Sequence, residues 1–445
     1  MTVMKRVLVI TYYWPPAGGS GVQRWVKFSK YLPSFGWRPV IYTPSNPQMA
    51  VTDFSLEKEI PAEAEIIKRK IFEPYGIYRL FAGRRSGTDM KDFIEEDGES
   101  AINTGRRSLF KRLSLYIRAN LFIPDPRVWW LRPSVRFLKK YLSEHPVDLV
   151  VTTGPPHSMH LIGRRLHRET GVPWVPDFRD PWTEMYFMAY LPLTGTASKK
   201  HARLEQGVLD EATAVLTVTP QMKADFSART KTPVAMITNG YDEEDFDVAA
   251  EPDGFFNIVH TGIFSGKGNP SVLWKTLGKM AADDPEFREK LRLRFVGQTE
   301  QEILDGIAAQ GLASNVHYAG YREHSEAVRE QLGASVLLLP MSDAPEIRFI
   351  LKGKLFEYLA SRRPILCISR PDGATAQMVT GCGAGAVCGW DDEDGMRAFL
   401  NGAWEDFKEG RTRETGSDID KFSRRRLTGE LAELFDALTA GRQKR

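Results

Sequence analysis

The sequence predicts an α/β protein built from two doubly wound parallel sheets, and three observations carry that reading. Ten short apolar runs recur along the 445 residues, and most are followed by a helical pattern. Several runs are apolar at every position, as in strands covered on both faces. A polar, acidic stretch punctuated by Gly and Pro, "NGYDEEDFDVAAEPDG" at 239–254, divides the runs into two sets. Ten strands exceed one sheet of usual size and fit two sheets of five or six.

The first set is Val7–Thr11, Pro39–Tyr42, Asp148–Thr152, Trp174–Pro176 and Ala214–Val218. The second is Asn257–Thr261, Arg292–Val296, Val316–Tyr318, Ser335–Leu339 and Ile365–Ile368. The expected organisation is an N-terminal domain over 1–240, a linker over 241–255, a C-terminal domain over 256–418 and a terminal helix over 419–445. Leu427, Leu431, Leu434 and Leu438 recur on one face of that helix. Residues 86–108 read as a surface insertion.

Hydrophobic residues make up 42% of the chain and charged residues 26%, the balance of a soluble globular protein. No apolar run approaches the roughly 20 residues needed to span a bilayer. Val7–Ile10 is too short for a signal-peptide core and reads as a first strand. Cys367, Cys382 and Cys388 show no CxxC spacing, which points to a reducing compartment and away from a zinc site.

The net charge of +3 hides an asymmetry. Residues 1–240 carry 34 basic and 23 acidic residues, and the remainder 26 and 34. Positions 105–140 hold ten Lys or Arg and one acid, Asp125, with aromatic and leucine residues interleaved. Such a patch suits an anionic surface or ligand. Arg24, Arg112, Arg118, Trp129 and Trp130 are the candidate contacts with a membrane or lipid-borne acceptor. The alternative is that the aromatics are core and the charges merely solvated.

Four stretches carry chemistry. In "YYWPPAGGSGVQR", Gly18, Gly19, Ser20 and Gly21 lie between a strand and a helix N-terminus, with no acidic residue. Backbone amides there can approach an anion, or the loop can be a plain connection. The spacing is not GxGxxG, so a dinucleotide fingerprint is a poor match. In "TTGPPHSMHL", His157 follows a strand, where open α/β sheets place ligands. A surface histidine in a turn is the plainer alternative. Within the same second stretch, 152–186, "DFRDPW" holds Asp177, Arg179 and Asp180, which form either an ion-pair network or a hydroxyl-binding site, with Trp182 and Tyr186 offering flat faces.

The third stretch, "HTGIFSGKGNPS", repeats the strand, glycine, helix pattern and adds Lys267, a cation suited to a pyrophosphate. It lacks the GxxxxGK[ST] spacing of a Walker A loop. In the fourth, "KGKLFEYLASRRPIL", Glu357 interrupts an apolar helix face, and Lys352, Gly353 and Lys354 form a basic entry to it. A carboxylate there needs a partner or a ligand. Ribose hydroxyls would serve, as would Lys354 at i, i−3.

Taken in this order, these motifs, with "ITNGYD" at 237–242, resemble glycosyltransferase family 4 over nearly the whole chain. The resemblance implies the GT-B fold, two Rossmann-like domains facing a central cleft, with a terminal helix crossing back to the first. It implies transfer of a sugar from a nucleotide-sugar donor to an acceptor hydroxyl with retention. It places Gly18–Gly21, Asn239, Gly262, Gly320, Tyr321, Lys352, Gly353, Leu355 and Glu357 at the donor, with Glu357 on the ribose. Lys267 and Lys354 would neutralise phosphate charge that grows as the glycosyl bond breaks. His157 would lie near the transferred sugar, and Asp180 joins the candidate catalytic set.

The resemblance implies no metal and no cofactor, the nucleotide sugar being a substrate. The "DDED" run at 391–394 lies in a late acidic segment. The expected partners are the donor, a saccharide or lipid-linked acceptor and an anionic membrane, without nucleic acid. The expected place is the cytoplasm at the inner membrane face, in envelope, polysaccharide or glycolipid synthesis. Two positions depart from the family pattern: Phe349 stands where a first Glu is usual, and Ile263 where an Arg is usual. Two other readings stay open: a nucleotide-sugar epimerase using Asp177, Asp180 or Glu184, and a non-catalytic scaffold at the membrane.

Overall fold

The computed structural model describes residues 4–49, 52–72, 109–185, 188, 190–248, 250, 253–342, 350–411 and 415–440, with the side chains of 20 and 109–114 excepted. The stretch 86–108, Tyr186 and Phe349 lie outside the described residues. The chain divides into two units: Met1–Thr238 with Leu427–Arg445, and Asn239–Arg426.

The first unit holds a seven-stranded sheet. Its strands are β1 (Lys5–Ile10), β2 (Trp37–Pro44), β3 (Glu65–Arg69), β4 (Leu149–Gly154), β5 (Trp174–Phe178), β6 (Val215–Thr217) and β7 (Val234–Met236). Their spatial order is β3-β2-β1-β4-β5-β6-β7, all parallel. The alternation along β1 explains its continuous apolarity: Val7 and Val9 enter one core cluster, and Leu8 and Ile10 enter the other.

The second unit holds a six-stranded parallel sheet. Its strands are β8 (Phe256–Thr261), β9 (Leu291–Val296), β10 (Val316–Gly320), β11 (Val336–Pro340), β12 (Ile365–Ile368) and β13 (Gly385–Cys388). Their order is β10-β9-β8-β11-β12-β13. Leu338 packs on one face of this sheet, and Leu337 and Leu339 on the other.

All ten expected strands form, within a residue or two of their expected ends. Three more join them, β3, β7 and β13, and each is the outermost strand of its sheet. The acidic stretch after Asn239 is not a free linker. Tyr241 pairs with Ser423 and is buried in the second core. The "DDED" run opens a helix, Glu393–Lys408, with Asp392 capping it by accepting from the Gly395 amide at 2.9 Å. The terminal helix, Arg424–Thr439, places Leu427, Leu431 and Phe435 in the first unit's core, with Phe435 against Trp37 at 5.2 Å between rings. Among the described residues no helix is long and apolar enough to cross a membrane.

Candidate functional site

In an open parallel sheet, ligands bind beyond the carboxyl ends of strands where the order reverses. That point lies between β1 and β4 in the first sheet and between β8 and β11 in the second. The glycine loops of the sequence leave the sheets there.

In the first unit, β1 leads through Gly18 and Gly19 into the helix Ser20–Tyr31. Gly19 has φ of 94°, a left-handed conformation that L side chains rarely adopt, and it occupies the helix N-cap position. Gly21 is small for a different reason. A Cβ there would lie 2.5 Å from Nη1 of Arg179, which donates to the Gly21 carbonyl at 2.9 Å. Arg179 also donates from Nε to the Gly154 carbonyl at 3.3 Å and from Nη2 to the Pro155 carbonyl. One guanidinium thus ties together the loops that follow β1, β4 and β5.

The "DFRDPW" stretch resolves into both readings, divided by residue. Asp177 is fully buried and belongs to an ion pair. It accepts from Nε and Nη2 of Arg24 at 3.1 and 3.0 Å, from Nε1 of Trp25 at 2.7 Å and from Oγ1 of Thr153 at 3.0 Å. Arg24 completes its bonding on the carbonyls of Thr238 and Ile237. Arg24, expected at an acceptor or membrane, is therefore a core residue: it is one helical turn past Gly21 and faces the sheet. Asp180 lines a cavity.

That cavity, of about 380 Å³, lies within the first unit. Gly18, Gly19 and Gly21 border it, with His157 and Asp180. Arg118 lines it as well, from the helix Leu109–Leu121. Arg112 lies in that same helix, with its side chain outside the described set. Ser20 is known here by its backbone alone.

His157 stacks on Trp182 with ring centroids 5.0 Å apart and planes at 3°. Trp182 donates from its indole Nε1 to Nδ1 of His201 at 3.0 Å. Buried Glu205 holds the same loop, accepting from the Trp182 and Thr183 amides at 3.2 Å. Burial holds all three imidazoles neutral. It pulls His157 well below the usual range, His160 down to about 3 and His201 down to about 4, with the Arg179 charge acting in the same sense on the first two. Trp182 is 2% exposed and spends its face on His157, so it is a support for the histidine before it is a platform for a ring.

Trp129 is 58% exposed, whereas Trp130 is 2% exposed and stacks on Tyr42 at 4.9 Å. Trp130 is thus core, contrary to the expectation of a membrane contact. In the 3₁₀ turn Pro126–Trp130, Trp130 turns to the core and its neighbour Trp129 to the surface.

In the second unit, β8 ends at Thr261 and Gly262 follows with φ of 89°. A Cβ on Gly262 would meet Nζ of Lys354 at 3.1 Å. Lys354 comes from the helix Gly353–Ala360 and donates to the Thr261 carbonyl; its Nζ lies 3.2 Å from Nε2 of His260. No carboxylate among the described residues lies within ion-pair distance of that Nζ. Burial, reinforced by the Lys352 charge, pulls its ammonium down to about 7, against the pull of Glu357. Glu357 instead accepts from Nε2 of Gln331 at 3.0 Å, and Gln331 also donates to Oγ1 of Thr261 at 3.2 Å.

Lys352 occupies the N-cap position and donates from its side chain to the Pro340 carbonyl at 3.0 Å. Leu355 is buried in the core, so only its backbone is available to a ligand. Lys267 sits in the 3₁₀ turn Gly266–Gly268 beyond β8, and Ile263 is 69% exposed beside it. Gly320 ends β10 with φ of 66° and accepts from the Gly297 amide at 2.7 Å, while Tyr321 is 76% exposed. Asn239 opens the second unit. The sequence reading missed His260, Gln331, His201 and Glu205. For His260 a signal existed, a lone imidazole inside the apolar run "FNIVHT".

Residues 101–240 match the model of the glycosyl transferase 4-like domain. No curated protein matches the chain in sequence. Among solved structures, the chain is similar to a sucrose-phosphate synthase from Thermosynechococcus elongatus, at 14% identity over 98% of this chain and 100% of that one, with a TM-score of 0.62. A UDP-N-acetylglucosamine 2-epimerase from Listeria monocytogenes matches at 9% identity over 99% and 98%, TM-score 0.57. TarM from S. aureus, solved with Fondaparinux, α-GlcNAc-glycerol and UDP, matches at 11% identity over 97% and 100%, TM-score 0.56. The fold is GT-B, with two Rossmann-like domains.

Proposed function

We propose that this chain, a glycosyltransferase that carries a glycosyl transferase 4-like domain in a GT-B architecture, moves a sugar from a nucleotide-sugar donor to an acceptor hydroxyl with retention. The observation that carries the donor assignment is Lys354. A buried ammonium with no carboxylate within ion-pair distance among the described residues, beside a glycine that leaves room for a close approach, is a site awaiting an anion. A diphosphate would restore its charge, and Lys267 and Lys352 would add to the field. Glu357, oriented by Gln331, would accept from the ribose hydroxyls.

In the reaction, the bond between the sugar's anomeric carbon and the diphosphate oxygen breaks through an oxocarbenium-like state. The acceptor hydroxyl attacks the face the diphosphate leaves, and the departing phosphate takes its proton. Lys354 opposes the charge that accumulates on the leaving oxygen. His157, neutral, and Asp180 face the acceptor cavity. No metal is required in this scheme. The place of action is the cytoplasmic face of a membrane, in envelope or glycolipid synthesis.

The epimerase alternative is weakened at one residue. Asp177, an acid it would draw on, is fully used by Arg24, Trp25 and Thr153. The test is thermal stabilisation by a panel of nucleoside diphosphates and nucleotide sugars, with Lys354→Ala and Glu357→Ala alongside. A ligand bound to the native state raises the melting temperature. A shift with one nucleotide family, lost in both variants, supports the assignment. No shift at millimolar nucleotide overturns it and favours the scaffold reading.

A further inference from the structure

The cavity of the first unit has a mixed lining, with much of its apolar part in two segments. Of the polar residues, His157, Arg179 and Asp180 stand at the carboxyl ends of β4 and β5, and Arg118, Asp125 and Arg127 come from the stretch that carries Ala119 and Phe122. The apolar ones include Ala119 and Phe122 at the end of the helix Leu109–Leu121, and Met185, Met188 and Leu191 further along. Asn120 fastens these two apolar segments together. Its Nδ2 donates to the Pro192 carbonyl at 2.9 Å, and its Oδ1 accepts from the amide and hydroxyl of Thr194 at 2.8 and 2.9 Å. The methyls and thioethers on this side offer nothing to a sugar hydroxyl, and each hydroxyl taken from water without a partner is costly.

The apolar character continues outward. Leu121 and Tyr190, neighbours in the chain of these lining residues, are 70% and 71% exposed. Along 115–140 the exposed charge has one sign. The single acid of 105–140, Asp125, is buried and turned inward, accepting from the amide and hydroxyl of Ser158 at 2.8 Å. Among the described residues, 115–140 therefore shows no exposed carboxylate.

We propose that the acceptor is a lipid-linked saccharide. Its polar head meets His157, Arg179 and Asp180, and its apolar chain lies between Ala119 and Phe122 on one side and Met185, Met188 and Leu191 on the other. Exposed Leu121 and Tyr190 then sit at the surface of an anionic membrane that supplies it. This inference rests on the transferase reading for the word acceptor, and on the cavity alone for the apolar chain.

The test uses the full chain and n-alkyl β-glucosides as probes, each below its micelle concentration, with binding followed by calorimetry. The expected result is no measurable binding of glucose and an affinity that rises from hexyl to decyl, by up to about fourfold per methylene. Ala119→Trp, which fills the cavity, abolishes the chain-length dependence. Leu191→Asp, at a partly exposed position, does the same without altering packing in the core. Retention of the nucleotide-induced thermal shift in both variants shows that the fold is intact.

Binding that is indifferent to chain length overturns the proposal, as does a dependence that both variants leave unchanged. A nucleotide response without chain-length dependence refutes the lipid-linked acceptor and leaves transfer standing. Chain-length dependence without any nucleotide response upholds the apolar seat and removes the transferase reading instead.

Discussion

Nη1 of Arg179 donates to the carbonyl of Gly21 at 2.9 Å, although 158 positions separate the two residues in the chain. The other two guanidinium nitrogens serve the Gly154 and Pro155 carbonyls, so the loops after β1, β4 and β5 meet on one side chain. This explains a glycine inside the first turn of a helix, where glycine is otherwise a poor choice.

Replacing Gly21 by alanine therefore gives an inverted result. In an ordinary helix the change stabilises by about 0.5–1 kcal/mol. Here the new methyl would lie 2.5 Å from a guanidinium held at three carbonyls, and the expected outcome is a loss of about 1–3 kcal/mol. In an Arg179→Ala background the same substitution becomes neutral or stabilising. Urea denaturation of the four proteins measures the coupling; equal effects in both backgrounds would refute it.

The buried pair of Arg24 and Asp177 makes a second prediction. Asp177→Ala strands the guanidinium and leaves Trp25 and Thr153 without their acceptor, at a cost of about 3–5 kcal/mol. The double variant Arg24→Met with Asp177→Leu removes both charges and should lose less than the single one. Equilibrium unfolding midpoints decide between these orders.

Both sheets were legible in the sequence wherever strands are central. β1, β4, β5, β8 and β11 lie inside their sheets with both faces covered, so each carries an apolar run, interrupted only where a buried polar residue such as Asp177 or His260 has a partner. The three unread strands are all at edges. β3 has the sequence "EIIKR" and exposes its last two residues, β7 has three half-buried residues, and β13 begins with Gly385. An edge strand needs no second covering layer and so carries no strong apolar run. For the site, the glycine loops and lysines were legible because their residue types are unusual after a strand. The pairing of Arg24 with Asp177 was not, since a cation at the start of a helix reads the same whether it faces solvent or a carboxylate 153 positions away.

Lys354 yields a prediction with two readouts. Its ammonium titrates near 7 in the folded protein and near 10.5 when unfolded, so the unfolded chain holds more protons between those values. Wild-type stability then rises with pH across that window. Lys354→Met removes the buried cation, and its stability advantage is largest near pH 6 to 7 and shrinks toward pH 10. Nucleoside diphosphate binding moves the opposite way. It needs the ammonium, so the affinity difference between wild type and Lys354→Met narrows above pH 7. Melting curves and nucleotide titrations at pH 6, 7.5 and 9 measure both, and a constant affinity difference would show that Lys354 does not meet the phosphates.

The neutral histidines of the first unit set its response to acid. His160 and His201 are held down to about 3 and about 4, and His157 well below its usual value, all chiefly by burial. Each is depressed in the folded state, so below pH 6.5 the unfolded chain takes up protons that the native chain refuses. Stability is present above that pH and falls as pH drops from about 6.5 toward 4. Between pH 6 and 5 these residues contribute about two to three protons taken up on unfolding, while the buried Asp125 carboxyl, which burial raises, acts in the opposite sense. His201→Gln keeps an acceptor for the indole of Trp182 and removes one titrating ring, so it should lower that uptake by about one. The measurement is the urea midpoint against pH for the two proteins. Parallel curves would mean that His201 is already protonated in the fold, and that the stack of His157 on Trp182 rests beside a charge.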